Sequence, residues 1–310
     1  MESVRRTLSQ ASPLGYRANV ITPARYSDGA IHAPGGVTFP VATTPREKAV
    51  SPDLTSAVYT TDNELVCVDR SGVERWRHAF GVFQEKVRNV RAGCAFSLDG
   101  KAVWLFRPDA MGRWNDGDDT WHVLDASTGA VLAGAELGTV GHGGNQHVHP
   151  NGTDVLVDVG EGQDGSFLFR GRLNGTALEV VPYPWDDRVL VAFAADGHQF
   201  MTVHHEQHDV AFHTYPDGEV VIRVSATDLG YDEDAWLEWA GGYLDADTAF
   251  VVAGGESDDE EWFRHHLVDV RTGEHLGTFD AHTEDAYGVI PAGGGAWLTF
   301  DDGVFRRHVR

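Results

Sequence analysis

The sequence has few cysteines and few basic residues, and each shortage excludes a class of protein. Only two cysteines, Cys67 and Cys94, occur in 310 residues. Both fall inside predicted strands, so we expect neither a disulfide framework nor thiol chemistry. The chain has 24 Lys and Arg against 47 Asp and Glu, a formal net charge of −23. Such a field repels phosphate groups, so we expect no nucleic-acid partner and no membrane partner.

Long apolar runs are also missing. No stretch approaches the length that a membrane-spanning helix requires. Residues 1–10 carry charges without a following apolar segment, so they do not resemble a signal peptide. These absences favour a cytoplasmic location as the default expectation. With 42% hydrophobic residues, the chain still has enough apolar material for a large core.

One pattern recurs along the chain: an apolar strand, a tight turn of Asp, Asn or Gly, and a second apolar strand. Ser97-Leu98-Asp99-Gly100 leading into Ala102-Val103-Trp104 is a clear copy. Marker residues of the second strand follow one another at intervals of 45, 52, 45, 50 and 47 residues: Val58, Val103, Val155, Phe200, Phe250 and Trp297. Self-similarity at such a period is typical of repeat architectures, so we expect one large domain.

Each interval has room for a third and a fourth strand joined by another tight turn. Residues 65–69, followed by Gly72 and residues 73–76, show this arrangement, and residues 266–273 repeat its first part. Glycine supplies the positive φ that such turns need, and Val, Trp and Phe suit half-buried strands. Four antiparallel strands per radially repeated unit form a β-propeller blade. The sequence therefore predicts an all-β propeller.

Particular segments resemble known propeller blades. Residues 282–289 and 97–101 resemble the opening of a WD-repeat blade, and residues 66–76 resemble a quinoprotein-type blade. No unit ends its third strand in Trp-Asp, because the one such dipeptide, Trp185-Asp186, falls in a connection. The resemblance implies a degenerate member of the WD-repeat or quinoprotein-like propeller superfamily.

The chain ends after three strands of the last unit, which leaves its outermost position empty. Because an open ring would expose unpaired strand edges, we expect an N-terminal strand at residues 37–42 to fill that position. This arrangement predicts six blades, in a domain of residues 31–310 that follows an N-terminal arm of residues 1–30. An alternative donor, residues 18–22, would leave room for a seventh, irregular blade.

The predicted connections are of two kinds, short Asp-Gly or Thr-Gly turns and long polar loops. Loops on a rigid scaffold usually carry recognition, so the long loops predict a binding face. Its candidate binding residues are carboxylates and tryptophans: Trp114, Asp116, Asp118, Trp185, Trp236 and Trp262. Carboxylates beside exposed tryptophan suit a cationic or amphipathic partner. Alternatively, the acids keep the fold soluble and the tryptophans cap the blade cores.

Histidines form a second candidate site at the same end of the channel. Imidazoles that could hold a divalent metal are His147, His149, His204 and His208. This set is loosely similar to that of oligouronide-lyase propellers, whose metal is held by several histidines and a glutamine. Candidate catalytic residues are His147, His204, His205, Arg188 and Glu238. His149 precedes a turn and has an alternative structural role there.

We favour a binding or scaffold module for a neutral or basic protein or peptide, because no catalytic motif is present at known spacing. The alternative is a lyase or hydrolase acting on a small polar substrate in the central channel. We expect no cofactor for the binding module. A divalent metal remains an alternative if the protein is an enzyme.

Overall fold

The structure is a computed structural model that describes residues 22–81, 90–109, 118–257 and 260–310. Across these ranges the chain forms antiparallel strands and two single-turn 3-10 helices, Gly162–Asp164 and Thr227–Leu229. No helix in this part of the chain has the length and apolar character needed to cross a membrane.

The described strands form seven antiparallel sheets, numbered here in chain order. Sheet one contains β1 (Arg25–Ser27), β2 (Ala30–Ala33) and β3 (Val37–Pro40). Sheet two contains β4 (Lys48–Val50), β5 (Ser56–Thr60), β6 (Glu64–Asp69) and β7 (Glu74–Ala79). Sheet three contains β8 (Gly93–Phe96), β9 (Ala102–Arg107), β10 (Thr120–Asp125) and β11 (Val131–Glu136). Sheet four contains β12 (Gly143–Val148), β13 (Asp154–Gly160), β14 (Ser166–Asn174) and β15 (Ala177–Pro182).

The second half of the chain continues the pattern. Sheet five contains β16 (Arg188–Phe193), β17 (Gln199–His204), β18 (Asp209–Thr214) and β19 (Val220–Ser225). Sheet six contains β20 (Trp236–Tyr243), β21 (Thr248–Ser257), β22 (Glu260–Asp269) and β23 (His275–Thr278). Sheet seven contains β24 (Ile290–Gly293), β25 (Ala296–Asp301) and β26 (Val304–Val309). Strands pair in chain order within every sheet, so the fold is a seven-bladed β-propeller.

Apolar side chains fill the spaces between consecutive sheets. Sheets three and four meet through Trp104 and Val157, for example, and sheets five and six meet through Phe212 and Val251. The repeat markers all lie on second strands, and each is at most 3% exposed: Val58, Val103, Val155, Phe200, Phe250 and Trp297. The predicted repeat therefore corresponds to the blades and to their packed core.

The prediction of six blades was wrong, and the seven-bladed alternative matches the structure. The strand expected to close the last blade, β3, pairs with β2 instead, with Ile31 opposite Phe39. Sequence analysis missed the first sheet because β1 and β2 have only three and four residues, too few for a clear alternation of apolar residues. Sheet seven meets sheet one through side chains, with the rings of His32 and Phe300 5.7 Å apart.

The cysteines form no disulfide in the described structure. Cys67 is buried and Cys94 is partly buried, on different sheets. Burial raises the pKa of the Cys67 thiol to about 11. This thiol therefore stays protonated near neutral pH and packs as a small apolar group.

The outer strand of sheet two packs against the turn between the third and fourth strands of sheet three. The Trp76 indole N–H on β7 donates a hydrogen bond of 2.9 Å to the Ala126 carbonyl. Its ring covers Gly129, where a Cβ atom would lie 2.6 Å from an indole carbon. The equivalent turn of sheet four differs, because a Cβ atom at Gly175 would meet nothing within 4 Å. Both glycines have positive φ, +72° and +64° respectively.

Replacing these two glycines separates backbone strain from packing. We expect Gly175→Ala to lower the free energy of unfolding by about 1 kcal/mol, because alanine is strained at positive φ. Gly129→Ala is expected to cost about 2–4 kcal/mol, because its methyl group also displaces the Trp76 ring. Urea-induced unfolding followed by circular dichroism measures both losses. Equal losses in the two variants would contradict the proposed packing of Trp76 on the neighbouring turn.

Candidate functional site

The two ends of the propeller carry different connections. Links between consecutive sheets and between second and third strands emerge together at the long-connection face, which includes residues 137–142, 183–187, 205–208 and 226–235. Links between first and second strands emerge at the opposite end, the short-turn face, which includes residues 149–153 and 194–198. Most of the predicted site residues can be assigned to one of these two faces.

The link between β17 and β18 brings two of the predicted metal ligands, His204 and His208, together with Glu206. The rings of His204 and His208 stack, with centroids 4.9 Å apart. One potential ligand atom from each of His204, Glu206 and His208 lies within 4.8 Å of the others. Gln207 has a φ of +62°, and its carbonyl accepts a hydrogen bond of 2.9 Å from the Leu237 amide. The turn is therefore anchored to the inner strand of sheet six.

Asp187 approaches the same turn from the connection between sheets four and five. Its Oδ2 lies 3.4 Å from His204 Nε2. The other ring nitrogen of His204, Nδ1, accepts the Glu206 amide at 3.0 Å, which fixes the ring orientation. Partial burial lowers the pKa of His204, so its imidazole is neutral near pH 7. A neutral imidazole is the form that binds metals.

The structure separates His149 from this turn. His149 Nδ1 accepts the Asn151 amide at 3.1 Å, so its Nε2 carries the proton and donates to the Gly197 carbonyl at 3.0 Å. Both partners belong to the short-turn face, whereas His204 ends β17 at the opposite face. The His149 ring also stacks on Tyr215, with centroids 3.7 Å apart. His149 therefore joins sheets four and five and does not share a site with His204.

His147 lies on the inner strand β12, opposite Leu156 and two residues before the short turn. Burial lowers the pKa of its imidazole to about 4, so the ring is neutral at physiological pH. Among the described residues, the one group of three metal-ligating side chains is His204, Glu206 and His208, and it does not include His147. The structure therefore does not assemble the four histidines of the predicted metal set.

Arg188 is buried in a hydrogen-bond network inside sheet five. Its guanidinium donates to Asp209 Oδ1 at 2.6 Å and to Thr202 Oγ1 at 2.9 Å. The Thr202 hydroxyl bonds His213 Nε2 at 2.8 Å, and His213 Nδ1 bonds the Gly218 carbonyl at 3.0 Å. Each side chain of this hydrogen-bond network has its partner within the same blade. Arg188 thus holds three strands of the sheet together.

Glu238, on the inner strand β20, is 6% exposed and accepts two hydrogen bonds from neutral groups. The Trp236 indole N–H donates to Oε1 at 2.5 Å, and the Tyr287 hydroxyl donates to Oε2 at 2.6 Å. No ion pair in the described structure involves this carboxylate. Tyr287 comes from the connection between sheets six and seven, and its ring is 48% exposed. Glu238 therefore positions two aromatic side chains, one of them at the surface.

Two of the predicted binding tryptophans pack within the protein. Trp185 stacks on Tyr183 at 4.8 Å and lies 4.8 Å from the His213 ring, against the core between sheets four and five. Trp262 packs on Tyr231 at 5.0 Å and carries the Arg264 guanidinium 5.1 Å above its ring. Trp236 is also partly buried.

Trp239, which the sequence analysis did not select, is the tryptophan that the described part of this face exposes. It is 41% exposed, and its indole N–H donates to the His204 carbonyl at 3.2 Å. The His205 ring lies 6.0 Å away. A bulge between Leu237 and Gly241 interrupts the pairing of β20 with β21 at this residue. Glycines inside a strand often mark a bulge, so Gly241-Gly242 could have identified the position.

The adjacent acids Asp118 and Asp119 have opposite environments. Asp118 is exposed, whereas Asp119 is fully buried. Asp119 Oδ1 accepts the Asp109 amide at 2.7 Å, and Oδ2 accepts the Gly141 amide at 2.6 Å and the Thr139 hydroxyl at 2.8 Å. Asp119 therefore joins two connections of the long-connection face. Trp114 and Asp116 lie outside the described residues.

Exposed carboxylates are frequent in the connections of the long-connection face. Acids that are exposed in the connections of sheets four to seven include Asp186, Asp187, Glu206, Asp232, Glu233, Asp234, Glu284 and Asp285. None of these forms an ion pair with Lys or Arg in the described structure, although Asp187 and Glu206 lie near histidines. This part of the face therefore carries exposed negative charge outside close ion pairs, although Arg25 interacts electrostatically with Asp285 and Arg188 with Asp187.

Comparison with solved structures supports the fold class. The chain is similar to BamB from Moraxella catarrhalis, with a TM-score of 0.53 and 15% identity over 97% of this chain and 85% of that one. It is also similar to the Dos1 propeller (TM-score 0.55, 12% identity, 86% of this chain and 67% of that one). The Cps50 (Swd1) β-propeller domain of Myceliophteria thermophila has a TM-score of 0.52 at 10% identity, over 90% and 82% of the two chains. Neither a protein-family model nor a curated protein sequence matches the chain. These likenesses define the protein as a β-propeller.

The buried Asp119 predicts a pH-dependent contribution to stability. Burial raises the pKa of Asp119 to about 6, despite its three hydrogen bonds. The unfolded chain releases this proton near pH 4, so the contribution is complete below about pH 4 and is lost as pH rises to about 6. The destabilisation caused by Asp119→Asn should therefore be largest near pH 4 and shrink towards pH 7. Urea unfolding at a series of pH values measures it.

Asp118→Asn is the matched control for this prediction. Because Asp118 is exposed, its replacement should change the free energy of unfolding by less than about 0.5 kcal/mol at every pH. A destabilisation by Asp119→Asn that stays constant between about pH 4 and about pH 7 would contradict the raised pKa.

Proposed function

We propose that this β-propeller is a binding module whose long-connection face holds a neutral or basic protein or peptide. The observation that carries the proposal is Trp239, a large aromatic side chain that is 41% exposed on a face with many exposed carboxylates. Tryptophan is strongly enriched among residues that dominate binding energy. The motif resemblances support the narrower proposal that the module is of a WD-repeat or quinoprotein-like kind.

The position of Trp239 suits a binding anchor, because the scaffold holds it before any partner arrives. Its indole N–H bonds the His204 carbonyl, and its backbone belongs to the inner strand β20. A side chain that is already oriented loses less conformational entropy on binding. Tyr287 offers a second exposed ring, with its hydroxyl held by Glu238. Two fixed aromatic rings would thus be available to one partner.

The charge of the same face favours a basic partner over an acidic one. Asp232, Glu233 and Asp234 are exposed and form no ion pair within the described chain. The whole chain has a formal net charge of −23, so the local and the long-range fields have the same sign. Complementary charge raises association rates, and cations bind favourably over indole rings. A lysine- or arginine-bearing segment meets both conditions.

A labelled peptide of alternating lysine and serine tests this proposal by fluorescence anisotropy. We expect it to bind, to bind more weakly as salt is added, and to bind more tightly than the corresponding glutamate peptide. Trp239→Ala should weaken binding of the lysine peptide at least about fivefold. Leu132→Ala is the matched control, since Leu132 is 39% exposed on the outer strand β11.

Three outcomes would overturn the proposal. They are absence of binding by the lysine peptide, equal affinity for the two peptides, and equal effects of Trp239→Ala and Leu132→Ala. Thermal melting of both variants shows whether they remain folded, so that loss of binding is assigned to the surface.

A further inference from the structure

We propose that the turn between β17 and β18 is a binding site for a divalent transition-metal ion such as Zn²⁺. The inference does not depend on the proposed peptide binding. The turn supplies His204, Glu206 and His208, and one potential ligand atom from each lies within 4.8 Å of the others. Two imidazoles and a carboxylate are a common donor set for zinc, whereas Mg²⁺ and Ca²⁺ prefer oxygen ligands alone.

Asp187 approaches His204 from a separate connection, although its carboxylate is not among the three groups whose ligand atoms all lie within 4.8 Å of one another. Its Oδ2 lies 3.4 Å from His204 Nε2. Two ligands that each lie about 2.0–2.1 Å from a tetrahedral zinc ion are about 3.4 Å apart, so this separation suits coordination of one ion. His208 Nδ1 and Glu206 Oε2 are 3.8 Å apart, close to the same value. Asp187 therefore contacts the candidate site through His204, which links the turn to a second connection.

Coordination requires one local rearrangement. His204 Nδ1 accepts the Glu206 amide, so the neutral ring carries its proton on Nε2. Binding of metal through Nε2 moves the proton to Nδ1, and the Glu206 amide then bonds water instead. Because Glu206 is exposed, water can reach that amide. The rearrangement and the exposure of the ligands together predict an affinity below that of buried structural zinc sites.

The site is connected to Trp239 through the backbone of His204. The Trp239 indole N–H donates to the His204 carbonyl, while the imidazole of the same residue faces Asp187. A bound cation would also neutralise the charges of Asp187 and Glu206 beside this aromatic side chain. Metal binding is therefore expected to change the fluorescence of Trp239, which gives a readout that depends on this location.

Titration of metal-free protein with ZnCl₂ in a calorimeter tests the inference. We expect one ion per chain, with no competition from Mg²⁺ or Ca²⁺. His204→Gln combined with His208→Gln should abolish this binding, and Asp187→Asn should weaken it at least about tenfold. His198→Gln is the matched control, because His198 is exposed at the short-turn face. The fluorescence change on adding Zn²⁺ should be lost in Trp239→Phe.

Several results would overturn the site. Absence of saturable Zn²⁺ binding would show that the chain has no such site. Equal binding by the double variant would show that Zn²⁺ binds at a different place. An unchanged affinity in Asp187→Asn would refute the contribution of the second connection. If the double variant fails to fold, Glu206→Gln serves in its place, because this side chain is exposed and its ion-pair partner in the described structure, His208, is exposed as well. The assay contains no peptide, so its failure would leave the proposed peptide binding untouched.

Discussion

The structure depends on the packing of each sheet between its two neighbours. Because both faces of a sheet are covered, its second strand is buried along nearly its whole length, as in β5 and β13. The middle of such a strand is a buried apolar stretch, as in Ala57-Val58-Tyr59 and Val155-Leu156-Val157. Close packing between sheets also requires glycine where an outer strand contacts a turn of the next sheet, as at Gly129 beneath the Trp76 ring. Sheet packing thus determines both the apolar repeat and its turn residues.

Packing between sheets also explains why polar residues near the channel are largely structural. Backbone groups at the joints between sheets need hydrogen-bond partners, and buried side chains supply them. Gln146 on β12 accepts the Trp121 indole N–H at 2.8 Å and thereby links sheets four and three. Asp158 on β13 accepts the Leu190 amide of sheet five at 3.1 Å. Arg188 has a similar role within its own blade, so a polar residue on an inner strand is weak evidence for catalysis.

The sequence predicted the propeller because six of its second strands are long apolar runs at regular intervals. It missed the first sheet because β1 and β2 are short and supply few buried residues, so the blade count was wrong. Sequence position alone could not separate the exposed Asp118 from the buried Asp119, since their difference arises from amides that folding brings together. Trp239 was missed for a related reason. It lies on the inner strand β20, at a bulge that interrupts the pairing with β21.

Buried and exposed carboxylates of the long-connection face differ in their hydrogen-bond donors, and this difference determines which of them can act on a partner. Buried carboxylates such as Asp119 and Glu238 are paired with amides, hydroxyls or indoles, so they need no cation to remain in the fold. Exposed acids such as Asp232 have water instead, and their charge is free to act on a partner. His204 contributes to both proposed sites at this face, because its carbonyl orients Trp239 and its imidazole faces Asp187. An ion held by that imidazole would alter the field and the orientation of the aromatic anchor together, so the two sites would be coupled through one residue.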